Sequence, residues 1–130
     1  MKQNSHLRKL GDLQLRILQL LWTKGELPAS GVHAALQSER PLAPTTIATM
    51  LAKMEARGLV AHREQGRAFI YRAAVDSGAV TRGLGDDFVQ RLFAGSVAGA
   101  VAHLLRTREV NRQELDQLEK LIKEEKRRAK

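Results

Sequence analysis

The chain has no cysteine in 130 residues, which excludes disulfides, thiolate metal sites and cysteine nucleophiles. Aromatic residues make up only 4%, too few for the stacking platforms that grip single-stranded nucleic acid. Proline occurs 3 times, at positions 28, 41 and 44, and so acts as local punctuation. No apolar run approaches the roughly 20 residues of a membrane span, and the start MKQNSHLRK lacks the apolar stretch of a signal peptide. The expectation is a cytoplasmic protein with no membrane partner. His6, His33, His62 and His103 fall in four separate segments without metal-ligand spacing. Asp86-Asp87 and Glu124-Glu125 read as solvated pairs, and no Gly-rich phosphate loop occurs. The sequence therefore assigns no catalytic residue, no metal site and no cofactor, and reads as something other than an enzyme.

What the chain does have is positive charge, a net +8 against an ordinary 43% apolar and 28% charged content. The excess is uneven. Residues 1–75 hold 11 Lys/Arg against 5 Asp/Glu, whereas residues 76–130 hold 11 against 9. A basic half suits a polyanionic partner, because binding releases counterions. The length fits one domain, or a small domain with an appendage.

Residues 1–9 are polar and aperiodic and read as loosely attached. Leu10, Leu13, Ile17, Leu20 and Leu21 then recur at helical spacing, with Leu18 and Trp22 widening the stripe, so a core helix is expected from Asp12 to Lys24. Gly25 stops it. After a turn, GELP, a short helix spans Ala29 to Gln37 with Val32, Ala35 and Leu36 inward. The link SERPLAP carries two prolines and aims the chain into a third helix.

That third helix, PTTIATMLAKMEAR from Pro44 to Arg57, organises the rest. Ile47, Met50, Leu51 and Met54 share one side, which faces a core. The opposite side carries Thr45, Ala48, Thr49, Ala52 and Ala56, with Lys53 at its edge and Glu55 set aside. A small, hydroxylated, nearly acid-free face suits close approach to the major groove of DNA, although an undistinguished core helix is the competing reading. Thr45, Thr46 and Thr49 are the base-reading candidates, Ala48 allowing approach or meeting a thymine methyl. Thr46 lies nearer the groove rim, where a phosphate contact competes.

The run LVAHREQGRAFIYRA follows and reads as two strands, Leu59–Arg63 and Arg67–Arg72, around a Gln65-Gly66 turn. Helix-turn-helix and then a ribbon with arginines at its tip is the pattern of a winged helix, with a plain structural hairpin as the alternative. Lys53, Arg63 and Arg67 are expected on phosphates, which fix register without carrying sequence information.

Beyond Val75 three helices are expected. The first, Ser77 to Phe93, carries Val80, Leu84, Phe88 and Leu92 at i, i+4 spacing. The second, capped by Ser96 and ending near Arg106, is apolar nearly all round and should be buried on several sides. The third is capped by Asn111, with Leu115, Leu118, Leu121 and Ile122 as its stripe. A self-contained bundle is one way to bury them; dimerisation is the other and the favoured one.

The chain also resembles the BlaI/MecI penicillinase-repressor family. The matching residues are Leu21-Trp22, then Thr46-Ile47-x-Thr49-Met50-Leu51-x-Lys53-Met54 for the family's T-V-x-T-L-L-x-R-L. Gly58-Leu59-Val60, Gly66-Arg67-x-Phe69-x-Tyr71 and Phe93-x-Gly95-Ser96 complete them. The resemblance implies a homodimeric winged-helix repressor on a palindromic double-stranded operator. Its architecture would be mainly α with a small β-wing. A winged helix-turn-helix domain over residues 1–75 would precede a helical dimerisation domain over 76–130. The expected interface comprises Leu84, Phe88, Leu92, Phe93, Val97, Val101, Leu104, Leu105, Leu118 and Ile122. The departures are specific. Leu42-Ala43 stands where the family has tryptophan-serine, which removes a side-chain N-cap of about 1 kcal/mol. The capping box of the first helix is reduced to Gly11 and Gln14. His103-Leu104 lines up with the Asn-Phe bond cleaved in penicillinase-type members, and the cysteines of copper-responsive members are absent. A regulatory protease is thus left unnamed. The second functional reading is a winged helix used as a protein-interaction module without specific DNA binding.

Overall fold

The computed structural model describes residues 10–129; residues 1–9, expected to be loosely attached and including His6, lie outside them. Among the described residues there are six helices and three strands. They run α1 (Asp12–Lys24), β1 (Glu26–Pro28), α2 (Ala29–Leu36), α3 (Pro44–Ala56), β2 (Val60–Gln65), β3 (Ala68–Ala73), α4 (Ser77–Phe93), α5 (Val97–Thr107) and α6 (Arg112–Arg128). They form two compact units, one up to Asp87 and one from Phe88 onward.

In the first unit α1, α2 and α3 close on one core. Ile17, Leu18 and Leu21 of α1 meet Val32 and Leu36 of α2, and Ile47, Leu51 and Met54 of α3. Leu59, Val60 and Tyr71 seal the core from the sheet side. The stripes read from helical periodicity on α1 and α3 are thus the ones buried. On α2 the expectation fails at Ala35, which is exposed. Two turns of helix direct only the i, i+4 pair Val32 and Leu36 inward.

The sheet is antiparallel, ordered β1-β3-β2. Its first strand is a correction, because GELP is extended rather than a turn. Leu27 pairs with Tyr71 and Pro28 with Ile70. Three residues ending in proline carry no strand signal, and only pairing with distant β3 makes them one, at an edge where proline is tolerated. The ribbon also runs further than expected. Gln65 pairs with Ala68, so the two-residue turn is Gly66-Arg67, not Gln65-Gly66. Gly66 has φ +64°, and glycine at the first turn position suits a II′ hairpin.

Local caps fix the order of elements. At the end of α3, Gly58 has φ +79°. Its N–H bonds to the Glu55 carbonyl at 3.0 Å, and the Leu59 N–H reaches the Met54 carbonyl at 2.9 Å. This is a Schellman stop that turns the chain straight into β2. The Trp22 indole N–H donates to the Val75 carbonyl at 2.9 Å, tying α1 to the exit of β3.

Along α4 the expected stripe leaves the interior stepwise. Val80 is buried and Leu84 half-buried, but Phe88 is 37% and Leu92 68% exposed. The next two helices are capped where expected, Ser96 Oγ accepting from Gly99 N–H and Asn111 Oδ1 from Glu114 N–H, both at 2.8 Å. The expectation that the apolar α5 is buried on several sides is not met within one chain. Its buried residue is Ala100, while Val97 is 66% exposed and Val101, Leu104 and Leu105 are also open.

Core and surface of α3 should separate cleanly in unfolding experiments. Leu51→Ala should cost about 2–5 kcal/mol by urea denaturation. Thr49→Ala, on the exposed side, should stay within about 0.5 kcal/mol. A comparable loss for both would contradict the one-sided burial.

Candidate nucleic-acid interface

Every residue proposed to read bases lies open. Thr45, Thr46, Ala48 and Thr49 are exposed, as are Ala52, Lys53 and Ala56 further along the same helix. The face is presented because Ile47, Leu51 and Met54 are fully buried behind it. Its chemistry is hydroxyl and methyl, suited to base edges and the thymine methyl.

Three devices hold this helix. The first is at its entry. Ala43 caps α3 only through its carbonyl, which accepts from Thr46 N–H at 3.0 Å, and Pro44 occupies a first-turn position where its missing N–H costs nothing. The segment leading into the helix is instead tied down next door, where His33 Nε2 on α2 lies 2.7 Å from the Leu42 carbonyl. A carbonyl can only accept, so Nε2 carries the proton. The second device is Gln14 on α1. Its Oε1 accepts from Gly11 N–H at 3.2 Å and from Arg57 Nη1 at 2.9 Å, while its Nε2 donates to Met50 Sδ. A residue read as the remnant of a capping box therefore also joins α1 to both α3 and its C-cap. The third is Glu55, whose carboxylate accepts a hydrogen bond from His62 Nδ1–H at 2.7 Å. That contact draws the acid of α3 toward the ribbon. His62 read as a plain strand-surface residue; instead its ring stacks on Phe69 at 4.0 Å, with Tyr71 at 5.6 Å. Burial first, and then the Glu55 carboxylate, hold the Tyr71 phenol above its usual range.

The cations of the ribbon are not equivalent. Arg67 stands in the turn, exposed. Arg63 instead reaches across the sheet to Glu26 of β1, with Nη2 2.9 Å from Oε1 and Nε 3.3 Å from both oxygens, and it donates to Gln65 Oε1. The hydrogen bond from Arg63, reinforced by its charge, holds the Glu26 carboxyl below the ordinary range, and the same bond raises Arg63. The spacing of residues 26 and 63 gives no hint of this pairing, because it depends on the unexpected strand β1. A second such pair, Arg16 Nη2 to Glu39 Oε2 at 2.7 Å, braces α1 against the link that leads to α3.

In the second unit the residues expected at an interface form broken apolar faces. Phe88 and Phe93 touch at 5.4 Å, and Phe93 meets His103 at 5.5 Å. Phe93 and Leu118 are half-buried. Leu92, Val97, Val101, Leu104, Leu105 and Ile122 are exposed, Ile122 by 54%. Between α5 and α6 an open groove of about 840 Å³ is lined by Val101, Leu105, Leu115, Leu118, Leu121 and Ile122. Among the described residues no cluster of three His, Asp or Glu is placed to hold a metal.

The Glu26–Arg63 tie has a definite pH signature. A carboxyl with a lowered folded pKa contributes stability above its unfolded value and loses it as pH falls through the folded one. The Arg63 Nε–H resonance should therefore remain protected below about pH 4.3, the ordinary glutamate value, and lose protection at all pH values in Glu26→Ala. Equal protection in parent and variant would show that the tie is absent in solution.

The family model described as penicillinase repressor matches residues 10–124. The transcriptional regulator BlaI of Mycobacterium tuberculosis is 31% identical over 120 residues, covering 91% of this chain and 86% of that protein. The penicillinase repressor of Bacillus licheniformis is 24% identical over 122 residues, 94% of this chain and 95% of its own length. Among solved structures, the crystal structure of the AntR antimony-specific transcriptional repressor superposes with a TM-score of 0.51 at 24% identity, over 69% of this chain and 79% of that one.

Proposed function

This chain belongs to the penicillinase repressor family of DNA-binding transcriptional repressors, and we propose that it acts as a homodimer on a palindromic operator. In this reading α3 lies in the major groove, with Thr45, Thr46 and Thr49 reading base edges and Ala48 permitting approach. Lys53 and Arg67 contact phosphates on either side. Arg63, engaged by Glu26, serves mainly by shaping the wing and reaches a phosphate only where that pair opens. The observation that carries the reading is the exposed, acid-free Thr/Ala face of α3, with Lys53 on the same helix and Arg67 at the ribbon turn both open.

Dimerisation falls to residues 76–130. Support comes from the apolar side chains of α4, α5 and α6 that one chain leaves in water, chiefly Leu92, Val97, Val101, Leu104, Leu105 and Ile122. Large apolar side chains left open together on one unit favour an interaction site. Two recognition helices about 34 Å apart would then read successive major grooves on one face of the duplex.

Two measurements test this. Binding to random-sequence duplex should weaken steeply with salt, and Lys53→Ala or Arg67→Ala should each reduce the log–log slope by about 0.9; unchanged slopes would remove both residues from the interface. In sedimentation the parent should be a dimer and Val101→Glu a folded monomer. A monomeric parent at micromolar concentration would refute the assembly.

A further inference from the structure

The Glu55–His62 pair lies between the helix that carries the hydroxyl face and the ribbon that carries Arg67, and nothing in the function so far requires it. The ribbon is anchored at its base, where Ala74 N–H bonds to the Leu59 carbonyl at 2.9 Å and Val60 pairs with Ala73. Its far end, from Glu64 to Ala68, projects beyond the core with every residue exposed. A two-stranded ribbon without packing is marginal in water. His62 sits between base and tip, paired with Tyr71 across the strands. Its Nδ1 is 2.7 and 2.8 Å from the two Glu55 carboxylate oxygens, and its ring lies on Phe69 at 4.0 Å and 16°. Phe69 is 45% exposed, its ring held by this stack and by an edge contact to Tyr71 at 6.4 Å. A continuous strut thus runs from the last turn of α3 through a carboxylate and an imidazole to the strand just beyond the turn.

We infer that Glu55 and His62 are positioning residues for operator binding, setting the wing so that Arg67 meets a phosphate while α3 occupies the groove. The inference rests on the reading of α3 and the wing as the DNA-binding surface. It assigns a function to an acid in an otherwise basic half of the chain. A carboxylate beside a polyanion is unfavourable by charge alone, and pairing with His62 reduces that cost while fixing the wing.

This gives opposite signs for two accounts of Glu55. If Glu55 acts only through its charge, Glu55→Ala should tighten binding. If it positions the wing, Glu55→Ala should loosen binding and uncouple Arg67. The experiment is a double-mutant cycle on the full chain, read by fluorescence anisotropy with a labelled random-sequence duplex at low salt. Arg67→Ala should weaken the parent by roughly fivefold, yet by less than about twofold in the Glu55→Ala background. His62→Phe keeps the ring on Phe69 but removes the N–H, and should behave as Glu55→Ala does. Glu55→Gln retains an acceptor for the His62 proton, and should restore the full Arg67 effect. Unchanged thermal melting of each variant separates positioning from unfolding. Tighter binding by Glu55→Ala, or additive effects with Arg67→Ala, would overturn the inference while leaving the DNA-binding reading intact. A parent that binds no duplex would overturn both.

Discussion

Everything on the proposed DNA surface depends on the one-sided burial of α3. Ile47, Leu51 and Met54 have essentially no exposure, and they meet Ile17, Leu18 and Leu21 of α1 and Val32 and Leu36 of α2. Burying three such side chains is worth about 1.5–3 kcal/mol each, enough to fix the rotation of the helix about its axis. Once that rotation is fixed, Thr45, Ala48, Thr49 and Lys53 have no direction left but outward. The outer face can then be chosen for recognition alone, because its side chains contribute little to stability. The hydroxyl and methyl groups there are short, which suits a helix that must approach a groove closely.

Around this helix the charged and polar residues act mainly as braces. Arg16 binds Glu39, Gln14 joins Gly11 to Arg57, Glu55 holds His62 and Arg63 holds Glu26. Each links two elements that the core alone would leave free to shift. Surface ion pairs contribute little to global stability, so their value here is geometric. They also sort the basic residues, since Arg63 is engaged within the sheet whereas Lys53 and Arg67 face solvent.

Much of the fold was legible because it rests on periodicity and caps. The repeat of Leu13, Ile17, Leu20 and Leu21 located α1 to the residue, and Ser96 and Asn111 marked the starts of α5 and α6. Gly25 and Gly66 marked two of the reversals at which the backbone takes a positive φ. What escaped depends on partners distant in sequence. The strand at Glu26–Pro28 exists only through β3, and without it the Glu26–Arg63 pair has no meaning. His33 and His62 were set aside for lack of metal-ligand spacing, and their roles emerge only when the Leu42 carbonyl and the Glu55 carboxylate come within reach. The apolar circumference of α5 pointed to burial on several sides, which a single chain does not supply. The proposed base-reading and interface residues were legible only as candidates, by face and by exposure.

The most direct test of the dimeric repressor is selection from a genomic duplex library at near-physiological salt, with the recovered sites sequenced. The account predicts an enriched palindrome whose half-site centres lie about one helical turn apart, roughly 10 base pairs. Uniform or negligible recovery would contradict it, and would leave the winged helix as a surface for protein partners.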